Sequence, residues 1–271
     1  MSARACGSPG STNVTSTPGS LDGTSRSSDD HYSTSGLMRI GILQADHVDE
    51  ENRDRFGDYP EMFVDTLGRA ADAAEFEFFD VQKRCYPARV DDCDGYLITG
   101  SRASVYDDEP WIDELGEFVR NIDRAGVRTV GICFGHQLIA QALGGQVGPA
   151  PSGWGVGVHS WNVVHTEPWM RPSLGEFKLL ASHRDQVDML PDAARLVASS
   201  PFCPNAAFVI DDRLLGVQGH PEFTKDYAAL LLHRRREQLG PAFAPGLHSL
   251  DQTTDACTVA AWIMGFLRGE D

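Results

Sequence analysis

The chain is short of basic residues, of long apolar runs and of paired cysteines, and each shortage removes a class of function. Its 23 Lys and Arg face 39 Asp and Glu, a formal net charge of −16. Such a chain repels a phosphate backbone, which argues against a general nucleic-acid binder. No apolar run approaches the roughly 18 to 20 residues that cross a bilayer, and the first residues lack the apolar core of a secretory signal. The six cysteines (Cys6, Cys85, Cys93, Cys133, Cys203, Cys257) contain no Cys-x-x-Cys pair. Their scatter argues against a zinc knuckle or a disulfide framework and fits a reducing, cytoplasmic setting. A G-x-x-x-x-G-K-[ST] phosphate loop, internal repeats and coiled-coil heptads are also missing. His159 and His165 have no accompanying acidic cluster, so no metal site or cofactor is expected.

What is present is material for a core: 41% of the 271 residues are hydrophobic, enough for one large domain. Residues 1–37 stand apart. They are rich in Ser, Thr and Gly and too poor in apolar side chains to offset the entropy of ordering, so a disordered leader is expected there. Met38 opens an apolar run and reads as the natural start, leaving 38–271 as the folded domain. Strands are expected over 40–43, 76–81, 95–99 and 127–132, with helices over 61–74, 110–126 and 134–143. Pro110 and Gly126 are the punctuation a helix start and stop require. Short strands and turns are expected over 153–164, strands over 177–181, 194–199, 207–210 and 214–218, and closing helices over 224–239 and 255–267, the last capped by Thr254 or Asp255. The alternation implies an α/β fold, an open and mostly parallel sheet with helices on both faces, plus a small antiparallel β element. Arg234-Arg235-Arg236 is expected to be a solvated face of a closing helix.

Two short segments carry chemistry. In Gly131-Ile132-Cys133-Phe134-Gly135 a strand turns sharply into a helix, the elbow that presents a nucleophile, with cysteine in place of serine. A thiolate there would lie at a helix N-terminus, whose partial positive charge favours it. A lone cysteine after a buried strand is ordinarily inert; the flanking glycines and the turn favour the nucleophile. In Gln218-Gly219-His220-Pro221-Glu222 a histidine ends a short strand, where open α/β sheets place their crevice. Glu222, two residues on in an extended segment, points to the same side and can orient the imidazole.

Gly131-Ile132-Cys133-Phe134-Gly135-His136-Gln137 and Gln218-Gly219-His220-Pro221-Glu222, in this order and roughly ninety residues apart, resemble the class I (triad) glutamine amidotransferases. The resemblance spans residues 39 to about 240 and is strongest to the GMP-synthetase-like branch that includes stand-alone γ-glutamyl peptidases. It implies a flavodoxin-like fold, with Cys133 as nucleophile, His220 as acid and base, and Glu222 as its orienter. It also implies an oxyanion hole from the backbone of Phe134 and of Gly100 in Thr99-Gly100-Ser101. Gln137 matches a substrate-contacting position. His183 and Asp185, in Ser182-His183-Arg184-Asp185-Gln186-Val187, match a segment beside the substrate crevice, with a plain hairpin as the competing reading. Gly153-Trp154-Gly155-Val156-Gly157 resembles a segment that shapes the pocket wall. Many members carry Phe where this chain has Gly219, so extra room beside His220 is expected. No ATP-pyrophosphatase loop accompanies these motifs, so a complete GMP synthetase is not expected. Three functions follow from the resemblance: ammonia release from glutamine for a separate synthetase subunit, self-sufficient hydrolysis of γ-glutamyl conjugates, or an inactive regulatory relative. The intact triad argues against the last.

Overall fold

The computed structural model describes residues 37–70 and 74–270. The leader expected over 1–37 falls outside the described residues except for Leu37, as do three residues of the helix expected over 61–74. Along the chain run β1 (Met38–Gln44), α1 (Glu50–Phe56), α2 (Tyr59–Gly68), β2 (Ala74–Asp80), β3 (Gly95–Ile98), α3 (Pro110–Ala125), β4 (Arg128–Ile132) and α4 (Phe134–Ala142). Then follow β5 (Gln146–Pro149), β6 (Gly155–Val163), β7 (Glu176–His183), β8 (Asp185–Met189), β9 (Ala194–Ser199), β10 (Ala207–Ile210) and β11 (Leu214–Val217). The chain closes with α5 (Lys225–Arg234), α6 (Arg236–Leu239), α7 (Phe243–Ser249) and α8 (Ala256–Arg268).

Nine strands form one sheet in the order β2-β1-β3-β4-β11-β10-β9-β6-β7, and β5 pairs with β8 in a separate two-stranded antiparallel sheet. The first five strands are parallel to their neighbours, as expected of an α/β domain. The strands from β10 to β7 are antiparallel. They belong to the main sheet instead of standing apart, and β6 is one nine-residue strand where short strands and turns are expected. This antiparallel half curls, so that its far edge meets the chain again just after β11: His220 N donates to Leu180 O at 2.8 Å.

Side-chain alternation along the parallel strands divides the core between two layers. Ile40, Ile42, Leu97, Val130, Ile132, Leu215 and Val217 pack under α2 and α8, against Phe63, Leu67, Trp262 and Ile263. Leu43, Tyr96, Ile98 and Leu214 pack under α3 and α4, against Leu115, Val119, Phe134 and Leu138. Each such fully buried side chain contributes about 1.5–3 kcal/mol. Asp58 caps α2 in a capping box with Glu61, whereas α8 is not capped by a side chain. Asp255 instead clamps β7: its carboxylate accepts from Lys178 N at 2.8 Å and its amide donates to Lys178 O at 2.7 Å. Among the described cysteines, Cys93, Cys133, Cys203 and Cys257 are free; Cys85 is disulfide-bonded, an exception to the unpaired thiols expected. No helix among the described residues is long and apolar enough to cross a membrane.

Candidate active site

The elbow forms where β4 ends and α4 begins. Cys133 takes φ +52° and ψ −98°, a left-handed conformation that costs a residue with a Cβ about 1–3 kcal/mol. Its neighbours hold it there. Cys133 N donates to Val217 O at 2.9 Å, and Cys133 O accepts from Gln137 N at 3.0 Å. The turn is too tight for side chains beside it: a Cβ on Gly131 would stand 2.3 Å from the Gly135 carbonyl, and one on Gly135 2.5 Å from Ile98 O. The Cys133 side chain thus sits at the first turn of α4, whose leading N–H groups have no partner within the helix.

His220 lies just beyond β11, in the strand next to β4. Its Nδ1 donates to Glu222 Oε1 at 2.7 Å, with both side chains buried. Cys133 is its other electrostatic neighbour. Burial alone would push this imidazole down. The Glu222 charge and then the Cys133 thiol outweigh burial and raise it to about 10, so the protonated imidazole is the stable form at neutral pH. By contrast, burial pushes the nearby Cys203 thiol up to about 12 and Cys93 to about 11, which leaves both as inert core thiols.

A third segment faces the pair. A Cβ on Gly100 would meet His220 Cε1 at 3.0 Å and Cys133 Cβ at 3.7 Å, so the Gly100 backbone lies against both. The turn is sewn to the end of β1. Thr99 Oγ1 accepts from Ala45 N at 2.9 Å and donates to Gly100 O at 3.0 Å. Buried Asp46 accepts from Arg102 N and Nε, each at 2.9 Å. Asp46 and Thr99 escape a reading of local sequence, because their partners lie more than fifty residues away. Their one signal is position at the ends of parallel strands.

Gln137, His183 and Asp185 are brought together. Buried Gln137 donates through Nε2 to Asp185 O at 2.8 Å and to Gln218 Oε1 at 3.1 Å. His183 Nδ1 donates to the same Asp185 carbonyl at 3.2 Å, leaving its Nε2 buried and unpartnered. Burial holds that imidazole neutral, lowering it to about 3. Ser104 Oγ donates to Asp185 Oδ2 at 2.5 Å. His183 and Asp185 do not form a plain hairpin: His183 ends β7 in the main sheet, Asp185 opens β8, which pairs with β5, and the corner between them is tied to α4 and to the segment after β3.

One expectation changes. Gly219 does not open space beside His220: a Cβ there would stand 2.7 Å from the Trp161 indole and 3.0 Å from Leu179 Cβ. The ring of β6 already fills the volume that a phenylalanine would need. The three arginines lie at the surface as expected, Arg234 and Arg236 exposed and Arg235 half-buried. Arg234 pairs with Asp49 and Glu51, Arg235 donates to Ser182 Oγ at 2.9 Å, and Arg236 lies over the Phe243 ring at 4.9 Å. No group of three or more His, Cys, Asp or Glu among the described residues is arranged to hold a metal ion.

A profile of the family described as "Glutamine amidotransferase class-I" matches residues 67–232. "Gamma-glutamyl peptidase 3" of Arabidopsis thaliana is 32% identical over 196 residues, covering 69% of this chain and 78% of that protein. A "GMP synthase [glutamine-hydrolyzing]" of Caldanaerobacter subterraneus is 31% identical over 61% of this chain and 31% of its own length. Among solved structures, a glutamine amidotransferase of Thermotoga maritima superposes with a TM-score of 0.66 at 19% identity, covering 85% of this chain and 96% of that one. That last likeness is one of fold.

Proposed function

The chain belongs to the class I glutamine amidotransferase family, and on that premise we propose that it hydrolyses γ-glutamyl amide bonds through a thioester on Cys133. The observation that supports this best is the buried His220, hydrogen-bonded to Glu222 at 2.7 Å, with the Gly100 backbone against both it and Cys133. The Cys133 thiolate attacks the γ-carbonyl carbon, forming a C–S bond and an oxyanion. The N–H groups of Phe134 and Gly100 hold that oxyanion; a donor of this kind is worth about 10²–10³ in turnover. The His220 imidazolium gives its proton to the departing nitrogen as the C–N bond breaks. Water then enters, His220 takes its proton, and the thioester splits into glutamate and the Cys133 thiolate. Glu222 keeps the imidazole in register throughout. Asp185 is proposed to meet the α-ammonium of the glutamyl group, with Gln137 and His183 acting on substrate through the Asp185 carbonyl that both hold.

The departing group is ammonia if the substrate is glutamine, and an amine or amino acid if it is a γ-glutamyl conjugate. The similarity to a gamma-glutamyl peptidase over most of that protein's length lends weight to conjugates. The similarity to a glutamine-hydrolysing GMP synthase keeps ammonia transfer to a separate synthetase subunit as the second reading. The test is glutamate release by the purified protein and by Cys133→Ala, offered L-glutamine in one series and γ-glutamyl dipeptides, γ-glutamyl amines and glutathione in another. Turnover of a conjugate that the mutation abolishes supports the first reading. Slow turnover of glutamine alone supports the second. Failure of Cys133 to react with a glutamine-mimicking electrophile such as diazo-oxo-norleucine overturns both and leaves an inactive relative.

A further inference from the structure

We propose that Phe223 is a positioning residue for His220, a ring platform that fixes the plane of the imidazole and favours its protonated form; this rests on the catalytic role proposed above. The two rings are 3.9 Å apart between centroids and 7° from parallel. His220 is held by Glu222 at Nδ1 and by Leu180 O through its backbone amide. Rotation of the ring about Cβ–Cγ is opposed by one hydrogen bond, at Nδ1, and a parallel ring in van der Waals contact opposes the same motion across the whole ring face. Two neutral aromatic rings prefer an offset or edge-on arrangement, whereas a cation gains from lying over a ring face. A parallel stack at this separation therefore suits an imidazolium.

Phe223 can serve as a platform because it is itself immobilised. It is buried, with the Tyr227 ring edge-on at 4.9 Å and the Tyr59 ring behind it at 6.3 Å. The two tyrosine hydroxyls are 3.1 Å apart and hydrogen-bonded, so α2 and α5 meet behind the ring. The ionisable groups facing this column are Glu222 and Cys133 on His220, and His183, which burial keeps neutral. Behind Phe223 stand Tyr59 and Tyr227, both held protonated by burial, with Asp46, Asp49 and Arg235 acting on them from further off. Of these, the negative groups next to His220 favour the imidazolium, and Phe223 adds to them from the ring face.

The experiment compares Phe223→Leu, Phe223→Tyr and Phe223→Trp with the wild-type chain, each checked for a native thermal transition. Phe223→Leu is expected to lower kcat about tenfold with KM within about twofold, the loss of one desolvated cation–ring contact. It should also move the alkaline limb of the pH profile down by about one unit. Tyr and Trp, which keep a flat ring, should retain both. Titration of the His220 Cε1 proton by NMR reads the same shift without any substrate, so it tests Phe223 even if no γ-glutamyl compound is turned over. A folded Phe223→Leu whose His220 titration and kcat match wild type overturns the proposal. So does a Phe223→Tyr variant that loses as much as Phe223→Leu, because packing alone would then account for the effect.

Discussion

His136 and His220 are both buried, and β11 passes between their surroundings, yet the fold keeps one neutral and the other protonated. His136 sits on α4 beneath Gly216, tilted over the Phe208 ring at 4.9 Å, with backbone groups of Gly216 and Asn205 as its polar neighbours. Burial pushes it down to about 3. Four residues past Gly216, His220 is just as hidden from water, but a carboxylate stands 2.7 Å away and it is raised to about 10. Desolvation is common to the two sites, so it cannot be what distinguishes a structural histidine from a reactive one. The difference is whether the fold also delivers a counter-charge, and here Glu222 brings it from only two residues away.

The sharpest way to break the contrast is Glu222→Gln, which keeps the shape and removes the charge. His220 should then fall toward the behaviour of His136, and kcat should drop about 10³- to 10⁴-fold, the scale of removing the carboxylate behind a catalytic histidine. An unchanged pH–rate profile would refute the assignment. Next in size is Gly216→Ala, whose new Cβ would stand 2.6 Å from His136 Nδ1 and 2.8 Å from Phe208. Overpacking a site with such close neighbours should cost about 3 kcal/mol in urea unfolding, while the His220 titration stays in place.

Third, the neutral histidines should show in acid. His136 and His183 are held at about 3 against an ordinary 6.5. Below pH 6.5 the unfolded chain therefore binds protons that the folded one refuses. Stability falls as the pH drops toward 3, each histidine costing about 2 kcal/mol at pH 5. His136→Asn should make the slope of stability against pH shallower by one proton over that range; an unchanged slope would contradict the neutral assignment. His220 works with the opposite sign. Its contribution is fully present below pH 6.5 and is lost as the pH rises through about 10. The smallest effect expected is from Tyr59→Phe, which removes one buried hydroxyl pair and should cost about 1 kcal/mol of stability without moving the His220 titration.

The candidate site was legible in the sequence because its parts are local. Cys133 is flagged by glycines two residues away on either side, and His220 and Glu222 share one pentapeptide. Much the same holds for the parallel half, where the strands β1 to β4 and the helices α2 to α4 are announced by their own periodicity, whereas α1, with no buried residue, has no apolar pattern to announce it. What could not be read depends on pairs distant along the chain. The strands 146–149 and 185–189 pair with each other across forty residues and have no strong pattern alone. Gly219 reads as open space until β6 lays Trp161 against it, and Asp255 reads as a helix cap until β7 presents Lys178. Phe223 is an unremarked aromatic in sequence; only the meeting of α2 and α5 reveals what its ring rests on.

The bridge between His220 and Leu180 has a consequence for the order in which this chain assembles. Forming it closes the curled half of the sheet, and the two residues are separated by the whole of β8, β9, β10 and β11. A contact of that span is entropically late, and so is the Cys133 N–Val217 O bond that holds the elbow, whereas α4 is local and can form early. Cys133 and His220 are thus brought together only as the sheet is completed. A refolding chain should show native helix content first and thiolate reactivity of Cys133 last, so that chemical competence marks the completion of the fold.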